Sequence, residues 1–422
     1  MKKISIVSVN FSDSRGGAAI AARQQVSTIR EIDALNVDFI VAEKNKDDDF
    51  SRGPSGIQYA YHFVMRIISL IASYILRSDK KVKNSHNIFS SSFIKNEIIS
   101  SDADIIHFHW LNNDTLSINA ICEVLDRKKT SKFIFTLHDD WFFCNTEHYA
   151  GIENNDEEYI HGYHFSKYSL HNFTYLRKLN LIPLIKKDNV VFTAPSRYLV
   201  DKAKKSYLLK NADVICIPNI IDTDIFQPTA SNIKQELSIP DNSYILLFGA
   251  IKGASYLKGG DLLMNALSYL SDNNRFNKEV VIITFGSKNQ EETSLFGFKI
   301  YNLGHIKCKK KLSSLYSAAD ITIVPSRLEA FGQVAAESLS CQTPVIGFDN
   351  SGLHDIVQHD VTGYLAPPFD TNMIAQYIEH FFQLPESKRN EMGVEGRKSV
   401  IKNFSVKTLK KQWLNTYKEI KK

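Results

Sequence analysis

Short, continuous runs of aliphatic, β-branched and aromatic residues recur through the first half of the chain, at Ile4–Val9, Val37–Ala42, Ile105–Trp110, Phe133–Leu137, Val190–Ala194 and Val214–Ile217. Runs that are apolar throughout, rather than at alternate positions, predict strands covered on both faces. The segments between them, such as Ala18–Ile29 and Arg197–Leu209, carry helical spacing, so the pattern predicts a parallel sheet wound with helices. Pro218-Asn219, Pro228 and Pro240, with polar residues between, mark a connection. A second series follows. Ile245–Phe248, Val280–Phe285, Ile300–Leu303, Ile321–Val324 and Val345–Phe348 read as strands, and Leu262–Leu270, Lys310–Ala318, Gln333–Ser340 and Met373–Phe382 as helices. The expected architecture is α/β, with two Rossmann-like doubly wound domains facing a central cleft into which the carboxyl ends of both sheets open. The boundaries drawn are 1–219, a linker over 220–240, a second domain over 241–400, and a basic, amphipathic C-terminal helix over 401–422 that packs back on the first domain.

A length of 422 residues accommodates about two to three domains. With 43% apolar and 23% charged residues the chain is neither disordered nor fibrous. Lys and Arg outnumber Asp and Glu by 51 to 46. That surplus is too small for a nucleic-acid partner and suits an anionic small ligand or a weak membrane-surface association equally well. Five scattered cysteines without a C-x-x-C indicate neither a disulfide framework nor a zinc knuckle, and a reducing cytoplasm is the simplest home. Polar Asn10, Ser12 and Asp13 interrupt the first apolar run before a signal peptide can develop. The longest apolar stretch, Ile67–Leu76, has the length of a buried or interfacial helix rather than a spanning one. Within Tyr59–Lys83, an apolar helix followed by a basic cluster fits rest on an anionic inner membrane and a core helix about equally. The acidic run Glu153–Glu158 reads as a solvated loop.

The densest local signal runs from Pro325-Ser326-Arg327-Leu328-Glu329-Ala330-Phe331-Gly332 through Glu337 to Thr343-Pro344-Val345. A strand ends at Pro325, a turn contains Gly332, and a helix starts near Gln333. Its unpaired N–H groups and positive dipole end make an anion site. Glu329 and Glu337 are eight residues apart, so even a helical path separates their backbones by about 12 Å. A glycosidase needs its two carboxyls within about 5 to 9.5 Å of each other. This pair is better suited to gripping the two ends of an elongated, hydroxyl-rich ligand, and a sugar nucleotide has that shape.

With these residues in place the chain resembles the retaining glycosyltransferases of family 4 from bacteria, which have the two-Rossmann GT-B fold. The Glu-x7-Glu signature is Glu329 to Glu337, preceded by Leu303-Gly304-His305-Ile306, Leu315-Tyr316 and Ala318-Ala319-Asp320 and followed by Val361-Thr362-Gly363-Tyr364-Leu365. The resemblance implies an acceptor-side first domain and a nucleotide-sugar-binding second domain. It implies that Glu329 faces the donor sugar hydroxyls, with the backbone amides of Ala330, Phe331 and Gly332 and the start of the helix at Gln333 nearby, and that Glu337 binds the ribose. Lys258, in Lys258-Gly259, matches the lysine on the donor diphosphate, where a compact cation offsets charge on the leaving group; an exposed loop lysine is the plainer alternative. Gly16-Gly17, between the first strand and a helix, corresponds to the family's glycine-rich loop near phosphates and acceptor, with a packing turn as its alternative. His138, in Thr136-Leu137-His138-Asp139, corresponds to a histidine beside the donor sugar or acceptor.

His107 and His109 share a strand face, but without a third ligand of convincing spacing they read as structural. His148, His161, His164 and His171 read as solvated loop histidines. Three positions depart from the family pattern. The arginine after the first strand of the second domain is missing at Gly249-Ala250, with Lys252 the candidate replacement. Gln342 stands where a helix-end glycine is usual, and Ser351-Gly352-Leu353-His354-Asp355 replaces Gly-Gly-x-x-Glu. The activity implied is transfer of a sugar from a nucleotide-sugar to a saccharide or lipid-linked saccharide with retention, in surface polysaccharide or lipopolysaccharide assembly, without cofactor or metal. A GT-B-like sugar-nucleotide epimerase and a non-catalytic saccharide- or nucleotide-binding partner of an assembly complex are the alternatives. An oxidoreductase is disfavoured by the lack of G-x-G-x-x-G.

Overall fold

The computed structural model describes residues 3–76, 83–152, 158–163, 173–186, 188–249, 256–272, 276–287 and 290–422. The chain divides into two compact units, one of Met1–Ile220 with Leu409–Lys422 and one of Ile221–Thr408.

The first unit holds β1 (Ile4–Ser12), β2 (Leu35–Glu43), β3 (Ile105–Phe108), β4 (Lys132–Thr136), β5 (Val190–Ala194) and β6 (Val214–Cys216), in the order β2-β1-β3-β4-β5-β6. All pairings are parallel. Its C-terminal piece carries Leu409, Trp413 and Tyr417, all buried. The Tyr417 hydroxyl lies 2.9 Å from His107 Nδ1 and accepts from Gln25 Nε2 at 3.2 Å.

The second unit holds β7 (Tyr244–Gly249), β8 (Val280–Phe285), β9 (Gln290–Leu295), β10 (Phe298–Leu303), β11 (Ile321–Val324), β12 (Val345–Phe348) and β13 (Gly363–Ala366), in the order β13-β12-β11-β7-β8-β10-β9. Only the β9–β10 pair is antiparallel. The unbroken apolar runs are explained by two cores on opposite faces. Ile245, Leu247, Val281 and Ile283 feed one, while their neighbours Tyr244, Leu246, Val280 and Ile282 feed the other.

One expectation is corrected, and one strand lies outside the hydrophobic pattern. The segment 220–240 is not a free-standing connection, because Ile221, Phe226, Ile233 and Ile239 are buried in the second unit's core; the prolines there shape a packed entry to the unit. Strand β9 carries no hydrophobic signal at all. Its residues, Gln290 to Leu295, are exposed along their whole length, and a two-residue turn with positive φ at Phe296 and Gly297 pairs it to β10.

Candidate active site

The second unit's candidate site starts at the turn Tyr256–Lys258, which leads into the helix Gly260–Asp272. Gly259 takes φ +67°, and a Cβ there would lie 1.9 Å from the Pro325 carbonyl oxygen. Only glycine lets this turn pass so close to the end of β11. Arg327 then staples the two loops. Its amide donates to Leu257 O at 2.9 Å, and its guanidinium donates to Tyr256 O at 2.8 Å and to both Asp261 carboxylate oxygens at 2.7 and 2.5 Å. Held this way, Lys258 Nζ donates to Glu329 Oε1 at 2.6 Å, and Ser326 Oγ donates to the same oxygen at 2.7 Å. From the other side Ser351 Oγ accepts from the Glu329 amide at 3.0 Å, while the Gly352 amide donates to Glu329 O at 2.8 Å.

Gly332 caps the helix Gln333–Ser340 at φ 111°, and Phe331 turns its ring into the core against Phe404. The loop therefore presents no aromatic face at this point, and the first N–H groups of the helix lack intrahelical acceptors. One turn in, Glu337 is buried. Gln333 Nε2 donates to its Oε1 at 2.9 Å and the Tyr316 hydroxyl to its Oε2 at 3.2 Å. Glu329 and Glu337 thus have separate sets of partners.

Burial pushes the Glu337 carboxyl from its ordinary 4.5 up to about 7. The unfolded chain sheds this proton first, so stability is expected to fall as pH rises from about 4.5 to about 7 and to level off above. Glu337→Gln removes that slope and, at pH 8, raises the stability of the unliganded protein by up to about 3 kcal/mol, measured by urea unfolding against pH.

In the first unit, Gly16 takes φ 92° immediately before the helix Gly17–Arg30, and a Cβ on either glycine would meet nothing within 4 Å. The backbone of this loop is open. Asp13, fully buried, fastens it by accepting from the amides of Asn45 and Lys46, each at 3.1 Å. At the carboxyl ends of β3 and β4, His109 Nδ1 lies 3.2 Å from His138 Nε2, and His109 Nε2 lies 3.1 Å from Ser8 Oγ. The His107 ring stacks on His109 at 4.3 Å. Burial holds the imidazole of His138 down to about 4, that of His107 to about 3, and that of His109 well below its ordinary value. All three are neutral at physiological pH, so His138 can accept or donate a hydrogen bond without carrying charge.

Two family profiles match this chain: residues 21–225 match "Glycosyltransferase Family 4" and residues 230–399 match "Glycosyl transferases group 1". The chain belongs to glycosyltransferase family 4. A D-inositol 3-phosphate glycosyltransferase of Xylanimonas cellulosilytica is 30% identical to this glycosyltransferase over 171 residues, 36% of this chain and 39% of that protein. The match thus spans about two fifths of that relative. Among solved structures, the sucrose-phosphate synthase of Thermosynechococcus elongatus superposes with a TM-score of 0.67 at 17% identity, covering 99% of both chains. Anabaena HepE, solved in complex with UDP-glucose, superposes with a TM-score of 0.63 at 15% identity over 99% of this chain and all of that one. The fold is GT-B.

For this glycosyltransferase the structure brings Lys258 and Glu329 into direct contact, with Ala330, Phe331, Gly332 and Gln333 on the same loop and helix start. It places Glu337 deeper in that helix, and Gly16, Gly17 and His138 in the other unit. Lys252 lies outside the described residues, as do His164, His171 and residues 153–157 of the acidic run. His148 is corrected. It is no solvated loop histidine but buried, with Nδ1 2.6 Å from Asp139 Oδ2 and Nε2 2.8 Å from Ser85 Oγ, because Asp139 also accepts from Trp110 Nε1 at 2.7 Å and draws the loop inward. Arg327, Asp261, Ser326 and Tyr316 went unassigned in the sequence. For Arg327 and Ser326 the signal was their place inside the Pro-Ser motif, and for Tyr316 its place in the Leu315-Tyr316 element; for Asp261 it was absent, since its partner is 66 residues away. Gln342 does take the left-handed conformation, φ 64°, at a position where glycine would be unstrained.

Proposed function

We propose that this glycosyltransferase moves a hexosyl unit from a nucleotide-sugar to a hydroxyl of a saccharide or lipid-linked saccharide, with retention of configuration, in surface polysaccharide or lipopolysaccharide assembly. The observation that carries the reading is the Lys258–Glu329 contact at 2.6 Å, stapled beside a helix N-terminus by Arg327. A cation and a carboxylate fixed side by side can serve adjoining parts of one ligand: the ammonium a diphosphate, the carboxylate the sugar hydroxyls. The complex of HepE with UDP-glucose supports a donor of this class. Lys258 supplies counter-charge to the leaving group, so the reaction is proposed to run without a metal, and EDTA is expected to leave turnover unchanged. In the absence of a nucleophile in the motifs, the leaving phosphate is proposed to help deprotonate the acceptor. The five cysteines are unpaired, which supports a cytoplasmic setting.

The test is a thermal-shift screen against UDP-, GDP- and ADP-sugars. One class is expected to stabilise the chain by about 2.7 kcal/mol when the free ligand is about 100 times its Kd. Glu337→Ala should abolish most of that shift by weakening the grip on the ribose. No shift with any nucleotide-sugar overturns the reading, and NMR of the product's anomeric carbon decides retention.

A further inference from the structure

The helix Gly56–Leu76 is built inside out. Its polar side chains His62, Arg66, Ser69 and Ser73 recur at helical spacing and face the protein. His62 Nε2 lies 2.9 Å from Asp114 O, and the Ser69 hydroxyl bonds the Asp114 carboxylate. Arg66 donates to Glu43 at 2.5 Å with its guanidinium over the Phe11 ring. Ser69 and Ser73 are buried. The apolar residues point the other way. Eleven of the large apolar side chains exposed among the described residues lie on this one helix, with Ile57, Tyr74 and Ile75 each more than two-thirds exposed. At about 100° per residue, these positions cover roughly 200° of the helix circumference.

That breadth decides what can cover the face. A partner helix or a second copy of the chain buries a stripe about 100° wide and would leave the rest in water, whereas a fluid acyl boundary wraps a convex surface of any width. Arg66 is the only charged residue in the helix, and it is turned inward on Glu43. The sequence continues Arg77-Ser78-Asp79-Lys80-Lys81-Val82-Lys83, four cations against one anion, which complements a negatively charged surface. No helix among the described residues is long and apolar enough to cross a membrane.

We propose that the outward face of Gly56–Leu76 seats the chain on the surface of an anionic lipid bilayer, with the helix lying in the interface. Glu43 ties this helix to the glycine loop, since it accepts from Arg66 of the helix and, at 3.1 Å, from Arg15 beside Gly16-Gly17. Docking therefore holds the acceptor-side loop near the lipid. That consequence rests on the function proposed above and selects a lipid-linked acceptor.

The experiment is sedimentation of the full chain with vesicles of phosphatidylcholine alone or of equal parts phosphatidylcholine and phosphatidylglycerol. The chain is expected to pellet with the anionic vesicles, less as salt is raised, and much less with phosphatidylcholine alone. The triple variant Ile67→Gln, Ile71→Gln, Ile75→Gln is expected to lower partitioning at least about tenfold, with Tm and the nucleotide-sugar thermal shift unchanged because these side chains contact solvent. A chain that stays in the supernatant, that pellets equally with both vesicles, or that forms a concentration-dependent dimer broken by the triple variant without binding vesicles overturns the proposal. A chain that binds vesicles but no nucleotide-sugar overturns the function and leaves the docking surface standing.

Discussion

Lys258→Ala is expected to lower kcat about 100- to 1000-fold while leaving Tm almost where it was. The rate loss follows from the role proposed for the ammonium. As the sugar–oxygen bond lengthens, negative charge grows on the departing diphosphate, and removing one preorganised charge partner from such a site costs about 3 to 4 kcal/mol of transition-state stabilisation. The stability loss is small for a separate reason. The Lys258 side chain is about one-third exposed, and a partly solvated ion pair contributes about 0 to 1 kcal/mol to folding. Glu329→Ala should also depress turnover, and the double variant should lose less than the sum, since the two groups act through one contact at 2.6 Å. Steady-state kinetics and calorimetry on the three variants check this. Turnover unchanged in both single variants removes Lys258 and Glu329 from the chemistry; a Tm loss of many degrees would make Lys258 a fold residue.

Both sheets were legible in the sequence because most of their strands are buried at successive positions, hence on both faces, and such a strand must be apolar throughout. The same rule explains the miss at β9, an edge strand whose residues are exposed throughout. The loop after β11 was legible through Pro325-Ser326, Gly332 and the two glutamates. The groups that fix its geometry were not, because Arg327 reaches back to Asp261 and Tyr256 across most of the second sheet's sequence. Distances of this kind leave no periodic trace. His148 was misread for a related reason: its polar neighbours suggest a solvated loop, but Asp139 and Ser85 satisfy its ring inside the protein, and Trp110 holds Asp139 in place. The helix Gly56–Leu76 left core and membrane equally open, because hydrophobic content alone does not say which face is turned in; the buried stripe of His62, Arg66, Ser69 and Ser73 does.

Trp413→Ala should destabilise the first unit by about 3 to 5 kcal/mol, the range for emptying a buried aromatic site. Trp413 is 3% exposed, stacks on Tyr417 at 5.5 Å and lies over His107 at 5.2 Å. Its loss leaves a void bordered by the hydrogen bonds that hold His107, whose Nδ1 meets Tyr417 and whose Nε2 lies 2.7 Å from Thr136 Oγ1. The consequence reaches further, because His107 stacks on His109 and His109 meets His138. The imidazoles of this row are held below their ordinary value of 6.5 by burial, so the unfolded chain takes up protons that the folded one refuses. First-unit stability should therefore decline as pH drops below about 6.5 toward 4. Trp413→Ala admits water beside His107, raises its folded pKa and flattens that decline even as it lowers stability throughout. Urea unfolding of the wild type and the variant at pH 7.5 and pH 5 separates the two effects. A Trp413→Ala protein with unchanged stability at both pH values would mean that the C-terminal helix is not part of the first unit's core in solution.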